Sequence, residues 1–146
     1  MNSIHEPARN VRFYYRRARN NLHMAWRSFR LGANYYDSGL GDSAWLLHGL
    51  VRSMKPKVCV EIGSARGKST CHIAQALREN LDGRLYAIDP HHATDWNDAG
   101  ERDTLPALRR NLRAMGGEAY VEIIRSGSAE AARRWKRPID LLFIDG

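Results

Sequence analysis

From Lys57 to the last residue, short apolar runs alternate with stretches of helical length, and this alternation restricts the possible folds more than any other feature of the chain. Val58–Ile62, Arg84–Ile88, Tyr120–Ile124 and Ile139–Ile144 read as strands, because each is a short run rich in β-branched or large apolar residues. Between them, helices are expected from Lys68 to about Leu81, from about Asp103 to Met115, and from Ser128 to Trp135. In the second of these, Leu105, Leu108, Leu112 and Met115 fall on one face, Pro106 suits the first turn, and Gly116 and Gly117 stop the helix. Strands that alternate with helices pair in parallel, with the crossover helices packed on both faces of the sheet. The expected class is therefore α/β, with four strands present and an open edge at the fourth.

Composition agrees with one globular domain: the 146 residues are 43% hydrophobic and 27% charged, too short for two ordinary domains. No run approaches the ~20 apolar residues of a membrane span. Charges also occupy the N-terminal positions where a secretory signal would be apolar, so a cytoplasmic location is expected. Cys59 and Cys71 are too few for a disulfide framework and lack zinc-ligand spacing; buried, reduced thiols are expected.

The net charge of +7 is unevenly distributed. Residues 1–31 carry seven arginines against Glu6 alone, while the remaining 115 residues carry 16 basic and 15 acidic side chains. Val11, Tyr14 or Tyr15, Ala18, Leu22, Ala25 and Phe29 recur at helical spacing among those arginines. The chain thus divides into a basic amphipathic helical arm and linker, 1–42, and a domain, 43–146, that opens with a short helix to Met54. The stripe is expected to pack on the domain and leave the arginines solvated. Contact of the arm with a phosphate backbone or a membrane surface is the alternative, and with the body nearly neutral nucleic acid is not the expected partner.

Glu61-Ile62-Gly63-Ser64-Ala65-Arg66-Gly67-Lys68-Ser69-Thr70 joins the first strand to its helix. A dinucleotide fingerprint would need glycine where Ala65 and Lys68 stand. A phosphate-binding loop needs four residues between its glycine and Gly-Lys-Ser, and only three intervene here, so an NTPase is a poorly fitting alternative despite the suggestive Leu141–Asp145 segment. What remains is an acidic strand end followed by Gly-x-x-x-Gly-x-Ser.

With that motif, residues 43–146 resemble the N-terminal part of the class I S-adenosylmethionine-dependent methyltransferases, most closely the small-molecule O-methyltransferases similar to those acting on catechols and sugars. The resemblance implies a Rossmann-like sheet and transfer of a methyl group from S-adenosylmethionine to a hydroxyl of a small-molecule or sugar acceptor. It implies that Gly63, Ser64, Ala65 and Gly67 surround the methionine part of the cofactor, Glu61 faces its amino group and Ser69 its carboxylate. Asp89 would accept the ribose hydroxyls, and Ser128 and Ala129, within Ser126–Glu130, would frame the adenine. Asp89 as a turn residue before Pro90, and Ser128 as a helix N-cap, are the structural alternatives. Asp145 would be the catalytic residue, and in metal-dependent members such an aspartate is a Mg²⁺ ligand. His91, His92 and Asp95 can be read as a metal cluster but more simply as a polar rim near the ribose, and Trp96 as mouth or packing. The further ligands and the acceptor wall would come from chain beyond this one or from a partner copy, so a homo-oligomer stays open.

Overall fold

The computed structural model describes residues 40–92 and 103–145, together with Tyr15 and Ala18. Two compact units are found, Met1–Gly32 and Ala33–Gly146. In the first, Tyr15 and Ala18 are helical and exposed; the rest of the arm, and Asp95 and Trp96, lie outside the described residues.

The second unit follows the expected alternation. After a 3₁₀ turn at Gly41–Ser43 come α1 (Ala44–Met54), β1 (Val58–Ile62), α2 (Lys68–Asn80), β2 (Arg84–Ile88) and α3 (Leu105–Met115). A 3₁₀ turn at Glu118–Tyr120 then leads into β3 (Val121–Ile124), α4 (Ser128–Arg134) and β4 (Leu141–Ile144). Boundaries differ from the sequence reading by one or two residues, and three of the shifts have a clear local reason. Tyr120 closes the 3₁₀ turn through its N–H to Gly117 O at 3.0 Å, so β3 begins one residue later. Asp103 accepts the Leu105 N–H at 3.0 Å and Thr104 takes the cap position, which moves the start of α3 to Leu105. Asp140 halts β4 at its near end: its carboxylate accepts the N–H groups of Lys57 and Val58, each at 2.9 Å, and pins the start of β1.

The sheet is parallel throughout in the order β3-β2-β1-β4. Alternate residues of each strand face opposite sides. Val60, Tyr86 and Ile88 pack with Ala131 of α4, with Val58, Ile62, Ile124 and Trp135 around them, and Trp135 stands edge-on to Tyr86 at 4.9 Å. Cys59, Leu85 and Ala87 point the other way, toward α2. That helix is buried continuously from Ser69 to Leu77, packed between the sheet, α1 and α3. Both cysteines are buried free thiols, and burial raises the pKa of each, that of Cys59 to about 12. On β4, at the outer edge of the described sheet, Leu142 and Ile144 are exposed. Among the described residues no helix is long and apolar enough to cross a membrane.

Candidate functional site

The strand order places the site. The chain runs outward from β1 through β2 to β3 and returns to β4 on the other side of β1. Such a reversal opens a crevice at the carboxyl ends of the strands, where open α/β sheets bind their ligands. Ile62 is in register with Ile88 and Ile144, and Ile88 with Ile124. The residues just beyond this row therefore come together: Gly63, Asp89, Arg125 and Asp145. Backbone bonds hold the row, from Gly63 N to Ile88 O (2.9 Å), Asp89 N to Ile124 O (3.1 Å), Ser126 N to Asp89 O (3.2 Å) and Asp145 N to Ile62 O (2.9 Å).

The loop after β1 folds tightly. Gly63 and Gly67 have φ of +88° and +89°, and Ala65 takes a left-handed φ of +40°. Gly67 donates its N–H to Ser64 O at 2.7 Å and caps α2. A methyl group on Gly67 would overlap the Leu108 side chain, so this glycine brings α3 against the loop besides turning the chain. Nearby, Asn111 of α3 donates to Arg66 O at 2.8 Å. The Ser64 hydroxyl is buried without a hydrogen-bond partner. α2 begins with neither a side-chain cap nor an acid in its first turn.

Two carboxylates flank this loop in contrasting states. Asp89 accepts the N–H of Ala65 at 2.8 Å on one oxygen and that of His91 at 2.6 Å on the other. A carboxylate offers about four acceptor positions, so two remain. Glu61 is fully buried, with one oxygen accepting the Ser69 hydroxyl and the other the Thr70 hydroxyl at 2.6 Å. Burial raises its pKa from 4.5 to about 7, opposed by the two hydroxyl bonds and assisted by the charges of Asp145 and Asp89.

The remaining candidates are spread along the same edge. Asp145 is exposed. Ser128 and Ala129 are exposed at the start of α4, whose cap position belongs to Gly127, so the reading of Ser128 as N-cap gives way to a place in the first turn. His91 is not part of an open polar rim: it is buried, with Nδ1 hydrogen-bonded to Thr104 Oγ1 at 2.9 Å. Among the described residues no three His, Cys, Asp or Glu side chains converge as a metal site. Sequence reasoning missed Thr70, Thr104 and Asn111. Thr70 carried a usable signal, a second hydroxyl in the first turn after an acidic strand end; the other two carried none.

A family described as a methyltransferase domain matches residues 60–146, and the chain belongs to it. Among solved structures, the O-methyltransferase TomG of Streptomyces achromogenes, involved in tomaymycin synthesis and determined with SAM, is 25% identical, with a TM-score of 0.59 over 73% of this chain and 44% of that one. A methyltransferase of Geobacter sulfurreducens is 27% identical, with a TM-score of 0.55 over 69% of this chain and 44% of that one. An O-methyltransferase of Bacillus cereus, in complex with SAH, shares the fold at 22% identity and a TM-score of 0.54, over 87% of this chain and 53% of that one. The chain thus spans about half the length of these structures.

Proposed function

We propose that this chain carries the S-adenosylmethionine-binding part of an O-methyltransferase that acts on a small-molecule or sugar hydroxyl. One observation carries the reading: Asp89, at the end of β2, is tied to the glycine loop by the Ala65 N–H and keeps two acceptor positions for a vicinal diol. The likeness to O-methyltransferases, TomG with its SAM among them, supports it. The cofactor also fits the residues around it. The orphaned Ser64 hydroxyl lies in the loop assigned to its methionine part, and the uncapped start of α2 suits a carboxylate. When bound, S-adenosylmethionine supplies an electrophilic methyl group on a sulfonium.

The chain's own residues bind and orient. Gly63, Ala65 and Gly67 let the backbone approach closely, Asp89 takes the ribose, and Ser128 and Ala129 border the adenine. Glu61 is assigned to the side of the amino group, beneath the loop and with no exposed surface of its own. While Glu61 is ionised, the one proton of Ser69 is directed to it, so the first turn of α2 rather than that hydroxyl meets the cofactor carboxylate. Asp145 is assigned the acceptor side, orienting the hydroxyl by accepting its hydrogen bond. The described donor set does not fit a Mg²⁺ site, and no step is routed through a metal.

Isothermal titration calorimetry with S-adenosylhomocysteine and with ATP tests the reading. The native chain should bind the first and not the second. Gly63→Val should abolish that binding, because φ of +88° disfavours any side chain and the new one would enter the ligand's path. ATP binding that disappears in Lys68→Ala would overturn the proposal.

A further inference from the structure

Thr104 occupies the N-cap position of α3, where a threonine oxygen ordinarily accepts an N–H of the first turn, yet it makes no such bond. Its hydroxyl is bonded instead to Nδ1 of His91, 13 residues earlier in the chain, at 2.9 Å, with both side chains buried. His91 is itself unusual. Its φ of +52° lies in the left-handed region that L side chains rarely adopt. Such a conformation persists only where its surroundings hold it, and it collects at functional sites. Here the consequence is specific: the turn aims the His91 N–H at Asp89 at 2.6 Å. From the other side, Arg125 donates to Pro90 O at 3.2 Å and to His91 O at 3.4 Å, and pairs with Asp103 at 3.5 Å. The ring of His91 is locked from α3, and its peptide from the end of β3.

We propose that Thr104, acting through His91, is a positioning residue that sets the Asp89 carboxylate for the ribose hydroxyls. The inference rests on the cofactor reading above and deepens it. Asp89 is held by two N–H donors, one from each flanking loop. The Ala65 donor belongs to the glycine loop. The His91 donor stays in place only while its backbone remains left-handed, and its side chain is anchored at Nδ1 by the Thr104 hydroxyl at 2.9 Å, with the Asp89 carboxylate itself 3.6 Å from the same nitrogen. Release of the ring lets the peptide relax toward ordinary φ, turns the N–H away and frees the carboxylate to rotate. The methionine end is assigned to the glycine loop, which is also held by its own bond from Gly67 N–H to Ser64 O when the His91 donor is lost.

The experiment compares two ligands by calorimetry on the full chain: S-adenosylhomocysteine and its 2′,3′-dideoxy analogue, which lacks both hydroxyls that Asp89 would accept. Thr104→Val keeps the shape and removes the hydroxyl. It should weaken S-adenosylhomocysteine roughly tenfold, the worth of about one hydrogen bond, and leave the dideoxy analogue nearly unchanged. Thr104→Ser should restore the native affinity. Should the valine variant fold poorly, Thr104→Ala serves instead, since it also removes the hydroxyl while leaving the His91 ring beside Asp89; the same ribose-selective loss is expected. Equal losses for both ligands, or full affinity in either variant, would overturn the proposal. Failure of the native chain to bind S-adenosylhomocysteine at all would bring down the cofactor reading and the latch together, a pattern unlike either of those.

Discussion

Glu61 shows how far one residue's chemistry depends on where the chain places it. As the acid that closes β1 it is an ordinary carboxylate; with no exposed surface and two hydroxyl donors from α2, its pKa rises to about 7. Desolvation is the largest cause, and it outweighs the hydrogen bonds. A folded pKa above the unfolded one means that the native state holds the proton more tightly. The associated stabilisation is fully present below about pH 4.5 and is lost as pH rises through about 7. Buried His72 acts in the opposite sense, its pKa lowered to about 4, so the comparison must isolate Glu61. In urea melts from pH 4.5 to 8, the stability of the native chain relative to Glu61→Gln is expected to fall steadily, by up to a few kcal/mol. Parallel profiles would mean that Glu61 titrates as an exposed carboxylate does.

At the scale of elements, the join between β1 and α2 carries both fold and site. α2 is buried along most of its length and is entered through a residue with φ of +89° whose Cα lies against Leu108. Gly67→Ala would add a left-handed penalty of about 1–2 kcal/mol and an overpacking cost of about 1–3 kcal/mol. A loss of roughly 2–5 kcal/mol in denaturant unfolding is expected. Because α3 would be pushed from the loop, affinity for S-adenosylhomocysteine should fall with it. A variant as stable as the native chain would show that Leu108 and the loop can move apart freely. The glycine was visible in the sequence as part of a ligand loop; its role in seating α3 was not, because Leu108 is 41 residues away in the chain.

At the scale of the whole molecule, the residues assigned to the site lie between Glu61 and Asp145, while the excess positive charge lies in residues 1–31. We therefore expect deletion of residues 1–30 to leave the calorimetric affinity for S-adenosylhomocysteine unchanged. RNA binding measured by filter retention across a salt series should be weak before the deletion and unaltered after it. A steep salt dependence that the deletion removes would instead make the arm a nucleic-acid handle.

Local pattern by itself determined the strands and helices of the α/β unit to within a few residues, because β-branched runs, helical periodicity and glycine stops act over a turn or a strand. It also located the glycine loop and the aspartates at the strand ends, since ligand loops of this kind are defined by contiguous residues. The tertiary structure decided the rest. The order β3-β2-β1-β4 is set by the direction of each crossover, which no segment encodes alone. The state of Glu61 depends on desolvation by elements distant in the chain. His91 reads in sequence as part of a polar rim, and Thr104 carries no signal at all; only packing of the β2 end against the start of α3 buries them together, with His91 bonded to both Thr104 and Asp89.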